Sequence, residues 1–196
     1  MKSNTLQAKF RDTAGASIVI ALVFFLICAI IGSVVLTAAS VQAKAVQTHR
    51  ELQQAEYTVG SAAQTIGYDM DMDELTIVSS PDGDTVQGAQ YSVFGREFWK
   101  TYGSSILERR AVKESFGSGE RLVIKQGNST VYGKLLVDSD LNITIDLSLD
   151  ESFAPASPYN MTVYLQCIPT YNASGKLVSF SYERAAITKT NDGDRI

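Results

Sequence analysis

Between Asp12 and Lys44 the chain carries no charged residue and no histidine. Its densest part, Ile18 to Leu36, is a run of 19 residues in which Ser33 is the only polar side chain. At about 1.5 Å per residue, a helix over about 16–41 reaches across a hydrocarbon core of roughly 30 Å. The chain is therefore expected to be held by a membrane, crossing it once. Lys2, Lys9 and Arg11 precede the run against a single Asp12, an excess of positive charge that favours a cytoplasmic N-terminus. The remainder of the chain is then expected outside the cell membrane. The run is longer than the roughly 7 to 15 apolar residues of a secretory signal. Even so, Ala38-Ala39-Ser40 and Val41-Gln42-Ala43 offer signal peptidase small-residue sites, the alternative in which the domain is released.

The helical pattern continues past the apolar run. From Val41 to Ile66 there is no proline, and Leu52, Ala55, Val59, Ala62, Ala63 and Ile66 recur at steps of three and four, the spacing of one apolar helix face. The spacing predicts one helix from Ala16 to Ile66, 51 residues and about 75 Å long, with Gly67 as its C-terminal stop. Its first half is apolar all round; its second half is apolar on one face.

After the apolar run about 150 residues remain, enough for one domain with a core. From Tyr57 onward there are 18 acidic and 12 basic residues, a net charge of −6, which gives no footprint for nucleic acid. Asp69-Met-Asp-Met-Asp73-Glu74 alternates acids as a calcium loop does. Glu74 stands where that loop needs glycine and Ser80 where it needs the bidentate glutamate, so the stretch is read as a solvated acidic turn, with Asp69, Asp71 and Asp73 only weak metal candidates. Asp82-Gly83-Asp84 reads as a turn. Phe98, Trp99, Tyr102, Ile106 and Leu107 fall at helical spacing within Arg96 to Ser115, a second helix whose aromatics are expected in the core.

From Arg121 the period becomes two. Leu141, Ile143, Ile145, Leu147 and Leu149 alternate with polar residues, and Met161, Val163, Leu165 and Cys167 repeat the pattern, which marks strands with one buried face. Further strands are expected over Arg121 to Gln126, Thr130 to Val137 and Lys176 to Lys189. The connections are Gly127 to Ser129, Asp138 to Asp140, Asp150 to Tyr159 and Pro169 to Gly175. Short connections predict an antiparallel meander, and hence an α+β fold: a long N-terminal helix followed by a small domain with an antiparallel sheet.

The basic leader Met1 to Gly15, the small residues Ala14-Gly15, the apolar helix that follows, its amphipathic extension and the β-rich remainder together resemble the prepilins: type IV pilins, type II secretion pseudopilins and Tad-type pilins. The resemblance covers Met1 to about Gly67. It implies a pilin-like fold, cleavage by a prepilin peptidase after Gly15, and Ala16 as a new N-terminus that is commonly methylated. It further implies membrane lipid and other pilin or pseudopilin subunits as partners, with Ile20, Phe24, Phe25 and Gly32 among the residues that pack in a filament. It implies a three-part chain: leader 1–15, long helix 16–67, and extracytoplasmic domain 68–196. Most prepilins carry glutamate at the fifth mature residue, facing the amine of a neighbouring subunit; this chain has Ile20 there. The large minor pseudopilin at the tip of type II secretion filaments also lacks it, so the departure suggests a minor subunit, with the tip as one position for it.

No catalytic constellation is legible. His49 is the only histidine, and Gly-x-Ser-x-Gly, phosphate-cradling and Cys-x-x-Cys motifs are absent from the sequence. Neither a cofactor nor an enzyme activity is expected. Cys167, on an inner strand face, reads as a small core hydrophobe. The rival to a filament subunit is an uncut single-pass surface protein whose β domain binds a ligand.

Overall fold

The computed structural model describes residues 4–71, 74–81, 83–88, 92–117, 120–154 and 157–190, with the backbone alone over 4–16. It forms two compact units, Met1–Glu51 and Leu52–Ile196. The first is helix α1 throughout its described length. The helix runs Asn4–Asp71, 68 residues, so it starts before Ala16 and passes through Gly67 rather than stopping there. Gly67 is buried, and a Cβ on it would lie 2.8 Å from the Cβ of Ala185. The glycine therefore serves close approach of helix and chain, not termination.

The second unit takes up the last turns of α1 and everything that follows. The expected amphipathic face is present from Val59: Val59, Ala62, Ala63, Ile66 and Met70 are buried, whereas Leu52 is exposed. The elements that follow are β1 (Leu75–Ser80), β2 (Gly83–Gln87), α2 (Val93–Ala111), β3 (Arg121–Gln126), β4 (Ser129–Val137), β5 (Ile143–Ser148), β6 (Met161–Leu165), β7 (Cys167–Tyr171), β8 (Leu177–Tyr182) and β9 (Ala186–Lys189). The acidic stretch after Gly67 is not a turn throughout. Asp69 and Asp71 belong to the last turn of α1, and Asp73 lies outside the described residues.

The α+β class holds, but the strands form two antiparallel sheets rather than one meander, in the orders β2-β1-β8-β7 and β3-β4-β5-β6-β9. The expected strand running to Cys167 is broken after Leu165, and the expected strand Lys176 to Lys189 is broken between Tyr182 and Ala186. The two breaks face each other, for the Glu183 amide donates to the Gln166 carbonyl at 2.9 Å. One long hairpin is thus bent at its middle, its closed end entering one sheet and its open end the other. The expected Pro169 to Gly175 loop is shorter as well, because β7 extends to Tyr171. The hairpin β1–β2 is an addition to the expected strands: of the Asp82-Gly83-Asp84 turn, Asp82 lies outside the described residues, while Gly83, at φ 125°, and Asp84 open β2 and pair with Ser80 and Ser79.

The sheets enclose one core. Val131, Leu135, Ile143, Ile145, Leu147, Val163 and Leu165 are each 1% exposed or less, all from the alternating faces of β4, β5 and β6. Helix α2 begins at Val93, three residues before the expected Arg96, and delivers Phe98 and Trp99 to the interior. The Trp99 ring meets Phe98 at 5.0 Å and Phe180 at 5.2 Å between centroids, both edge to face, the favoured geometry for aromatic pairs.

Candidate assembly surface

Every described side chain from Ser17 to Arg50 is exposed in the first unit. Ile20 is 57% exposed, Phe24 64% and Phe25 74%, values at which these residues gain nothing from their own helix. Fully covering one such side chain is worth about 1.5–3 kcal/mol, so an apolar surface of this extent needs lipid or protein against it. The helix is long and apolar enough to cross a membrane.

The polar groups within this surface are satisfied locally. The Ser33 hydroxyl donates to the Ile30 carbonyl at 2.8 Å, and the Thr37 hydroxyl to the Ser33 carbonyl at 2.8 Å. Neither requires water, which is the condition for burying a hydroxyl in an apolar setting. A Cβ on Gly32 would meet nothing within 4 Å; it leaves a shallow notch beside Ser33. Cys28 is a free, exposed thiol on the same helix. Beyond Val41 the surface turns polar, with Lys44, His49 and Arg50 exposed and the Gln47 amide donating to the Glu51 carboxylate at 2.9 Å. Gly15 and Ala16 lie within the helical backbone.

The weak metal candidates are not brought together as a site. The Asp69 carboxylate instead accepts the Phe94 amide at 2.9 Å, in the first turn of α2, where backbone donors are otherwise unpaired. Ser92, at the N-cap position, supplies no side-chain cap, so an aspartate from the end of α1 does the capping. Asp71 is exposed. No three His, Cys, Asp or Glu residues cluster among the described residues.

Cys167 is buried, as its inner-face position predicts, and burial pushes its thiol up to about 12, with Asp138 and Asp140 adding to the shift and Arg110 opposing it. At neutral pH it is a protonated core thiol. Its amide donates to the Asn142 side-chain oxygen at 3.0 Å, so Asn142 is a structural fastener between β5 and the start of β7. The outer face of the five-stranded sheet carries a polar cluster that periodicity gave no sign of. The Thr162 hydroxyl donates to the buried Asp146 carboxylate at 2.6 Å, Thr190 joins Thr162 at 2.9 Å, and Lys134 stands 4.8 Å from the centre of the Phe153 ring.

Compared with known proteins, the chain matches no family model, no curated protein and no solved structure.

Proposed function

We propose that this chain is a prepilin-like structural protein, cut after Gly15 and built into an extracellular filament or secretion pseudopilus as a minor subunit. The observation that carries the reading is the uncovered surface of α1: a charge-free apolar section with every described side chain exposed, on a helix whose far end is part of a folded domain. Lipid covers such a surface while the protein is stored in the bilayer, and neighbouring helices cover it after assembly. The exchange replaces lipid contacts by protein contacts, and the section carries no charged side chain, the amine created at Ala16 being the one charge it brings. The small notch at Gly32 permits a close helix approach. Prepilin peptidase, membrane lipid and other subunits of the pilin or pseudopilin kind are the partners this reading requires.

The test is intact-mass and N-terminal peptide analysis of the protein from membranes and from sheared surface material. The expected start is Ala16 carrying an added methyl group. A start at Met1 would leave an uncut anchor presenting a binding domain, and a start near Val41 or Lys44 a released domain; either overturns the proposal. If Ile20 occupies the position facing a neighbour's amine, Ile20→Glu changes the abundance or position of the subunit in purified filaments. An unchanged distribution counts against that placement.

A further inference from the structure

Strand β9 ends the five-stranded sheet, pairing with β6 alone. The Thr190 amide donates to the carbonyl of its register partner Asn160 at 3.0 Å, which marks that pair as hydrogen-bonded. By the alternation of an antiparallel ladder, Thr188 and Ala186 also direct both backbone groups at β6. Ile187 and Lys189 therefore direct theirs outward. Among the described residues, no other backbone segment pairs with these four groups.

Two other edge strands are blunted: Pro169 removes a donor from β7, and β3 carries Arg121 and Lys125, devices that discourage further pairing. The lysine of β9, Lys189, is drawn to Glu56 of α1 at 2.9 Å. The open edge of β9 instead borders a groove of about 620 Å³ between the strand and the last turns of α1. Gln64, Thr65 and Tyr68 form its helix wall; Arg184 and Ala185, just before β9, and Ile187 of β9 form the opposite wall. Asp69 and Asp71 stand at the helix end of the groove, where the helix C-terminus adds negative potential. Neither Asp71 nor Arg184 has an ion pair among the described residues.

We propose that this groove accepts an extended peptide segment of another protein by strand addition to β9, with an Arg or Lys side chain of that segment set against Asp69 and Asp71. A free strand edge beside a helix is the geometry of peptide docking by β-augmentation, in which main-chain bonds give affinity and side-chain pockets give selectivity. The outward groups of Ile187 and Lys189 supply the main-chain bonds. The unpaired carboxylate of Asp71 supplies the charge preference. This inference is independent of how α1 is processed or assembled.

The probe is an acetylated, amidated peptide alternating Thr and Val around a single Arg, compared with the same peptide carrying Glu in place of Arg. The full-length protein in detergent micelles is titrated into each peptide, which carries a neutral fluorophore on its N-terminal acyl group, and binding is followed by fluorescence anisotropy. The Arg peptide is expected to bind roughly ten-fold or more tightly than the Glu peptide. Ile187→Pro deletes the outward amide without touching the β6 ladder and is expected to abolish binding. Ile187→Ala keeps the amide and is expected to retain it. Hydrogen exchange at the Ile187 and Lys189 amides should slow when the Arg peptide is added, a readout that does not depend on the proline variant folding. Equal binding of the two peptides, no binding by the wild-type protein, or unchanged exchange at these amides would overturn the proposal.

Discussion

Two glycines of α1 show how one residue type does opposite work. A Cβ at Gly67 would sit 2.8 Å from the Ala185 Cβ, closer than real Cβ contacts allow, whereas a Cβ at Gly32 meets nothing within 4 Å. Gly67→Ala should therefore destabilise the folded domain by about 1–3 kcal/mol, the range for overpacking, despite the better helix propensity of alanine. Gly32→Ala should leave the domain's thermal transition where it is. Melts of the two variants followed by near-ultraviolet circular dichroism check this, and equal transitions would mean that the Gly67 contact yields freely. Cys167 gives a second test, one of pH. Burial raises its thiol from 9.0 to about 12, so the unfolded chain releases that proton before the folded one does. The thiol's contribution to stability is complete below pH 9 and is lost as pH rises toward 12. Tyr182, whose hydroxyl donates to the Leu141 carbonyl at 3.0 Å, is also raised well above its ordinary value by burial and adds to the alkaline loss. Cys167→Ala should accordingly show a shallower fall of the urea midpoint over this range than the wild-type protein. Parallel falls would show that the thiol is not the titrating group.

Helix α2 depends for its start on a residue from another helix. Its N-cap Ser92 makes no side-chain bond to the helix, and the Phe94 amide is received by Asp69. Asp69→Ala should cost about 1 kcal/mol, as loss of an N-cap does, with Asp69→Asn recovering most of it because the amide oxygen can still accept. Chemical denaturation of the three proteins decides this; an asparagine variant as weak as the alanine one would point to charge rather than acceptor geometry. Such a cap could not be read from the sequence, since Asp69 precedes Phe94 by 25 residues and looks like part of an acidic turn. What was legible is what periodicity encodes. The strands around Ile143, Ile145 and Leu147 and the inner face of Val59, Ala62, Ala63 and Ile66 all follow from spacing alone. The bend at Gln166 was hidden because Met161, Val163, Leu165 and Cys167 keep period two across it and all remain buried. The β1–β2 hairpin was hidden for another reason: its strands do alternate, but apart from Leu75 their residues are exposed or half-buried, so only Leu75, Ile77 and Val86 mark the inner face. Of the candidate assembly surface, the extent was plain from missing charge. The open β9 edge was not, because an unpaired backbone leaves no mark on side-chain type.

At the scale of the whole molecule, the buried core of the second unit draws on α1 only from Val59 onward, and the division into units falls at Leu52. The apolar section of α1 and the folded domain therefore answer to different solvents. A fragment comprising 52–196 should express as a soluble protein, lose the exposed apolar surface, and unfold in one cooperative transition close to that of the full chain in detergent. A fragment beginning at Glu74 should not, even though it keeps every strand. It lacks Val59, Ala62, Ala63, Ile66 and Met70, all buried, and it uncovers the core residues they pack with. It also loses the Asp69 cap of α2. At about 1.5–3 kcal/mol for each buried Val, Ile or Met side chain, the loss of this helix face is of the same order as the 5–15 kcal/mol by which domains are typically stable. Limited proteolysis and near-ultraviolet circular dichroism of the two fragments provide the comparison. A compact, protease-resistant product from the shorter fragment would show that the two sheets close a core by themselves, with α1 added as a spacer rather than as a structural member.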